Sequence, residues 1–156
     1  MLFRSLTVVV AILLVLACVP VQRAQEAGAK RNILTRQDLS GFPGHEGVVA
    51  QVEFAPGAHE PKHTHPGDIF GYVLEGEMVF ELEGEPPRVI RAGETFWEPG
   101  GDVIHYQDGN NRDDINVRYV VTMLCAPGQP MVVLVDEEEL AARAHLRVPA
   151  ESSTSA

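Results

Sequence analysis

Short runs of alternating apolar and polar residues, cut by Gly, Pro and acidic turns, constrain the chain more than any other feature. From Gly47, residues Val48, Ala50, Val52 and Phe54 fall on one face, and Val49, Gln51 and Glu53 on the other. That period fits a half-buried strand and not a helix. Gly71–Gly76 and Glu77–Glu83 read as a hairpin closed at Glu75-Gly76-Glu77. Further strands are predicted over Arg88–Arg91, Thr95–Trp97, Ile104–Gln107, Val117–Leu124 and Met131–Val135. Turn signals at intervals of roughly ten residues are the spacing of a sandwich or barrel. The 14 Gly and 11 Pro of the 156 residues fall largely between these strands, and a helical bundle is excluded. Only Asp136–Arg147 reads as helix, with acids in its first turn and Arg143 and Arg147 at its end, as the helix dipole favours.

The first residues belong to a different regime. Met1–Arg4 is basic and Leu6–Val21 is an almost unbroken apolar run, the layout of an export signal rather than a spanning helix of about 20 apolar residues. Ala27-Gly28-Ala29 offers small residues to a signal peptidase. Val15-Leu16-Ala17-Cys18 equally fits a lipoprotein box with Cys18 as the lipidated residue, and an uncleaved anchor is the third possibility. The expected division is 1–24 signal, 25–44 N-terminal extension, 45–135 barrel and 136–156 short helix with a disordered tail. Without residues 1–24 the 12 basic groups fall to 10 against 22 acidic ones, and the net charge moves from −10 to −12. Such an excess repels phosphate backbones and excludes nucleic acid as a partner. Contact with a membrane is expected only through the N-terminal segment. Cys125 then stands alone, a buried thiol in an apolar strand with no base nearby.

Three of the six histidines are placed for chemistry. His63 and His65 are two apart, so on a strand both face the same way and can grip one ion. His105 lies in a later short strand. Neutral imidazole is a favoured ligand of zinc, iron, nickel and copper. His59 reads as a surface loop residue, and His45 and His145 carry no assignment. Gln107, two residues beyond His105, is expected on the same face as a fourth or outer ligand. Tyr72, Phe96 and Trp97 are expected in the core or lining the barrel. Tyr106 should face away from His105 and Lys62 outward. Glu98 and Asp102 border the segment, with no partner visible for general acid chemistry.

The flanking residues carry a family resemblance. Gly57, five residues, His63-Thr64-His65 and then Gly76 resembles the first cupin motif. Gly93, five residues, Pro99, Gly101 and then His105 resembles the second, with sixteen residues between Gly76 and Gly93. The chain is identified as similar to single-domain bacterial cupins over about Val48–Val135. The resemblance implies an all-β double-stranded β-helix, or jelly-roll barrel, with one divalent transition metal ion inside its mouth. It further implies a small-molecule ligand or substrate and a homodimer. His63, His65 and His105 match the motif's ligand histidines. The motif's glutamate slot, however, falls on Ile69. Asp68 beside it would face the other side of a regular strand, and only a bulge would turn it inward. One extra residue precedes His105, and the trailing Asn arrives late, as Asn110. Three neutral ligands leave a divalent ion electrophilic and open, suited to oxygen chemistry or to metal-bound hydroxide. The leading expectation is an exported metal cupin acting on a small organic molecule, in the manner of a three-histidine dioxygenase. The alternative is a non-catalytic, metal-stabilised binding or sensor module.

Overall fold

The computed structural model describes residues 28–148. The expected signal segment with Cys18 and the tail 151–156 lie outside the described residues. Two five-stranded antiparallel sheets pack face to face. One runs β1(Lys30–Asp38), β2(Glu46–Phe54), β9(Val117–Cys125), β4(Asp68–Glu75) and β7(Thr95–Glu98). The other runs β10(Val133–Leu134), β3(His63–Thr64), β8(His105–Asn110), β5(Glu77–Leu82) and β6(Arg88–Arg91). This is the jelly roll expected from the strand spacing. The stretch before residue 45, legible only as an extension, contributes β1, paired along β2 from Lys30↔Glu53 to Asp38↔Glu46.

Alternation decides which side chains are inside. Val48, Ala50, Val52 and Phe54 of β2 meet Val117, Tyr119, Val121 and Met123 of β9 and Ile69 and Val73 of β4 in the core. From the opposite sheet come Met78, Phe80, Leu82 and Ile90. Phe80, Phe96 and Tyr119 stack through the middle, with ring centroids 5.7 and 5.5 Å apart. Phe96 is therefore core, as expected. Tyr72 and Trp97 are not, because they alternate with Gly71 and Phe96 on the outer face, and they are exposed. Cys125 is buried and unpaired.

Gly76 joins β4 to β5 with φ +78°, and a Cβ there would lie 2.5 Å from the Asn116 carbonyl, so only glycine fits this turn. Helix α1(Glu137–Arg143) starts at Asp136, whose side chain accepts the Glu139 amide at 2.9 Å. Arg143 and Arg147 fasten this end to Glu83 and Glu81 of the β5 region. Glu81 is wholly buried under that contact.

Phe80 carries the weight of the barrel beneath His105, at 6.3 Å between ring centroids. Phe80→Ala is expected to cost about 3–5 kcal/mol, read as a lowered midpoint in urea denaturation.

Candidate metal centre

β3 and β8 pair at a single register position, His63↔His105, so the two imidazoles share the inner face. They stack at 4.9 Å with an interplanar angle of 27°. His65 follows β3 immediately and meets both rings edge-on, at 4.8 and 4.5 Å. One ring nitrogen from each of the three lies within 4.8 Å of the others, and all three residues are buried.

The hydrogen bonds fix where the protons are. His63 Nδ1 lies 2.8 Å from the Pro61 carbonyl, and His65 Nδ1 lies 2.5 Å from the Met131 carbonyl. A carbonyl only accepts, so both Nδ1 atoms carry hydrogen and both Nε2 atoms are bare lone pairs. Those lone pairs face each other at 3.2 Å. Both nitrogens of His105 are buried without a hydrogen-bond partner. Burial first, then His63 beside it, lowers the His65 pKa to about 3. Burial and the other two histidines lower His105 to about 2. Two donors sharing an ion at about 2.1 Å sit about 2.9–3.4 Å apart, so the observed separation fits a bound divalent cation.

Two acids that the spacing did not identify as partners join the histidines. Glu98, inward on β7, places Oε2 3.3 Å from His65 Nε2 and Oε1 3.7 Å from His105 Nδ1. Asp108 Oδ2 is 3.9 Å from His63 Nε2, and its Oδ1 accepts the Tyr119 hydroxyl at 3.2 Å. Burial, reinforced by Asp108, pushes Glu98 well above the usual carboxylate range. Burial also raises Asp108. The same groups border a cavity of about 20 Å³, with Arg31 of β1 in its lining. That volume holds about one water molecule. Arg31 is held by Glu60 at 2.8 Å.

Gln107 and Asp68 do not join the cluster. A register shift pairs Glu81 with Gln107 but Leu82 with His105, so Tyr106 is an extra residue in β8. The bulge reverses the alternation. Gln107 turns outward to hydrogen-bond Glu81, and Asp108 takes the inward place. Tyr106 faces away from His105, under the Arg147 guanidinium. Asp68 stays in regular alternation and exposed, accepting the Gly100 amide at 2.8 Å. Asn110 is structural, since its Nδ2 donates to the Ala55 and Ile115 carbonyls at 3.2 and 2.7 Å. His59 lies in an exposed loop bridged to Gly109, and Lys62 points outward.

Two packed antiparallel sheets with histidines gathered at one end define a cupin barrel. The profile of the cupin domain matches residues 50–123, which contain all three histidines, and the chain belongs to that family. Among curated relatives, germin-like protein 3-3 of Oryza sativa subsp. japonica is 38% identical over 85 residues, 47% of this chain and 37% of that protein. Oxalate oxidase 2 of Hordeum vulgare is 38% identical over 85 residues, covering 47% and 38%. The chain thus spans less than half the length of the curated relatives it matches. A structure of oxalate oxidase with the substrate analogue glycolate superposes with a TM-score of 0.53 at 30% identity, over 72% of this chain and 57% of that one. A cupin-like protein from Thermotoga maritima gives 0.54 at 23% identity, over 74% and 84%, and supports the fold alone.

A pH prediction follows from the buried neutral imidazoles. His105 stays neutral when folded and takes a proton near pH 6.5 when unfolded, so the unfolded state binds more protons below 6.5. Its contribution is complete above that pH and is lost as pH falls towards about 2. In urea denaturation of ion-free protein, wild type should therefore lose stability relative to His105→Leu. The expected slope is about 1.4 kcal/mol per unit between pH 6 and 4.

Proposed function

We propose that this protein is a mononuclear metal-dependent cupin enzyme of the oxidoreductase class, acting on a small organic molecule. His63, His65 and His105 hold one divalent transition ion, of the iron, zinc, nickel or copper group. The reading rests on two buried imidazole Nε2 atoms facing each other at 3.2 Å while both Nδ1 atoms are committed to backbone carbonyls. When bound, such an ion supplies Lewis acidity and, where redox-active, electron exchange with dioxygen.

The chain's own groups divide the remaining work. The Pro61 and Met131 carbonyls hold the imidazole tautomers. Phe80 and Phe96 pack against each other in the buried core next to the histidines. Arg31 lines the cavity while paired with Glu60 at 2.8 Å, and a carboxylate-bearing substrate would share that guanidinium. Together with the oxalate oxidases among the relatives, it makes small carboxylic acids the first class to assay. The non-catalytic binding or sensor module is the second reading, favoured by a cavity that admits only a very small ligand without movement of its lining.

Elemental analysis of protein from its native compartment should find about one transition ion per chain, absent from His105→Ala. Oxygen uptake with a panel of small carboxylic acids, phenols and thiols should depend on that ion. Zinc with ligand binding and no turnover would instead support the sensor module. Absence of bound metal with all three histidines intact would overturn both readings.

Export through residues 1–24 and a homodimer belong to the same proposal. Phe70, Tyr72, Leu74 and Trp97 are exposed on the outer face of β4 and β7, where Phe70 and Trp97 are register partners. Among the described residues no helix covers this face, and a contiguous apolar patch suits a second copy of the chain. Sedimentation equilibrium should read twice the chain mass for wild type and the monomer mass for Phe70→Ser/Trp97→Ser.

A further inference from the structure

We propose that Glu98 is the fourth protein ligand of this centre, supplying from β7 the carboxylate that β4 lacks at Ile69. The inference rests on the metal-centre reading above and extends its donor set. β4 and β7 pair with Ile69 directly opposite Glu98. Directly opposed residues of an antiparallel pair share a face, with Cβ atoms about 5 Å apart. A carboxylate at 98 thus reaches the space a carboxylate at 69 would have reached, from one strand further along the sheet.

The distances single out Glu98 among the nearby acids. Its Oε2 is 3.3 Å from His65 Nε2, close to the 3.2 Å between the Nε2 atoms of His63 and His65. A carboxyl oxygen and two imidazole nitrogens therefore converge, and the Nδ1 hydrogens of both imidazoles are committed to backbone carbonyls. A cation is what such a set can share. Asp108 is farther, at 3.9 Å from His63 Nε2, and its Oδ1 is taken by the Tyr119 hydroxyl. Asp68 is outside and exposed.

The chain also holds Glu98 in place. The Gly101 amide donates to the His65 carbonyl at 2.8 Å, and the Gly100 amide to Asp68 at 2.8 Å. A Cβ on Gly100 would lie 2.5 Å from the carbonyl carbon of Gly67, so the two loops touch only because Gly100 has no side chain. This clamp fixes the exit of β7 against the segment that carries His65. The acid beside the motif's empty slot, Asp68, thus serves as a positioning residue for the acid across the sheet. Glu98 and Asp108 together place two carboxylates in the buried site, and one divalent ion balances both charges.

The test is Co²⁺ titration of the chelator-stripped full chain, with affinity from chelator competition and coordination from the visible spectrum. Glu98→Gln keeps the side chain's shape and should weaken Co²⁺ binding by at least about 100-fold, more than loss of an outer-shell contact costs. Its visible bands should shift as a carboxylate oxygen is lost. Adding Ile69→Glu to that variant should return affinity to within about tenfold of wild type by restoring the donor from β4. That rescue separates loss of a ligand from damage to the fold. Wild-type binding with Glu98→Gln within about threefold of it and spectrally unchanged would overturn the Glu98 assignment alone. No Co²⁺ uptake by wild type would overturn the metal centre itself.

Discussion

The barrel mouth depends on two imidazole nitrogens, 3.2 Å apart, whose protons are both turned away. Pro61 and Met131 take the Nδ1 hydrogens, leaving lone pairs where a hydrogen bond would need a donor. Burial disfavours a proton on His65 and on His105, holding both far below the ordinary imidazole range. A group of acceptors this dense is costly as plain core and makes sense as a cation site. Both acids in the site are buried, and that burial shifts them upward, with Asp108 adding to the shift of Glu98.

Register carries the geometry from one sheet to the other. His63↔His105 brings together two histidines 42 residues apart in sequence, and Ile69↔Glu98 sets an acid beside them. A one-residue bulge at Tyr106 then exchanges Gln107 for Asp108 on the inner face. The displaced Gln107 serves the outer face, where it donates a hydrogen bond to the buried Glu81 that Arg147 neutralises. Burial alone would raise that carboxyl, and the hydrogen bonds from Arg147 and Gln107 outweigh it and lower it. The inner and outer polar networks are thus two consequences of one inserted residue.

Much of this was legible from residue order. Alternation and turn signals located eight of the ten strands among the described residues, the charge pattern at its ends located the helix, and motif spacing picked out His63, His65 and His105. β1 was missed because Lys30–Asp38 is largely exposed and does not alternate. β3 was missed because two residues carry no period. Gln107 faces outward against expectation because a bulge is invisible to a parity count, although the late Asn110 after His105 was its trace in the spacing. Tyr72 and Trp97 followed the usual preference of aromatics for cores, although their alternation with Gly71 and Phe96 places them outside. Glu98 was within reach by the same alternation: Phe96 inward implies Glu98 inward. What residue order could not supply was its neighbour across the sheet, since Ile69 and Glu98 meet only through long-range pairing.

The most direct test of the central claim is X-ray absorption at the metal edge of the ion-loaded protein. Three imidazoles on a single ion should give their outer-shell scattering, with oxygen completing the first shell. An ion bound without imidazole scattering, or with a single imidazole, would contradict it.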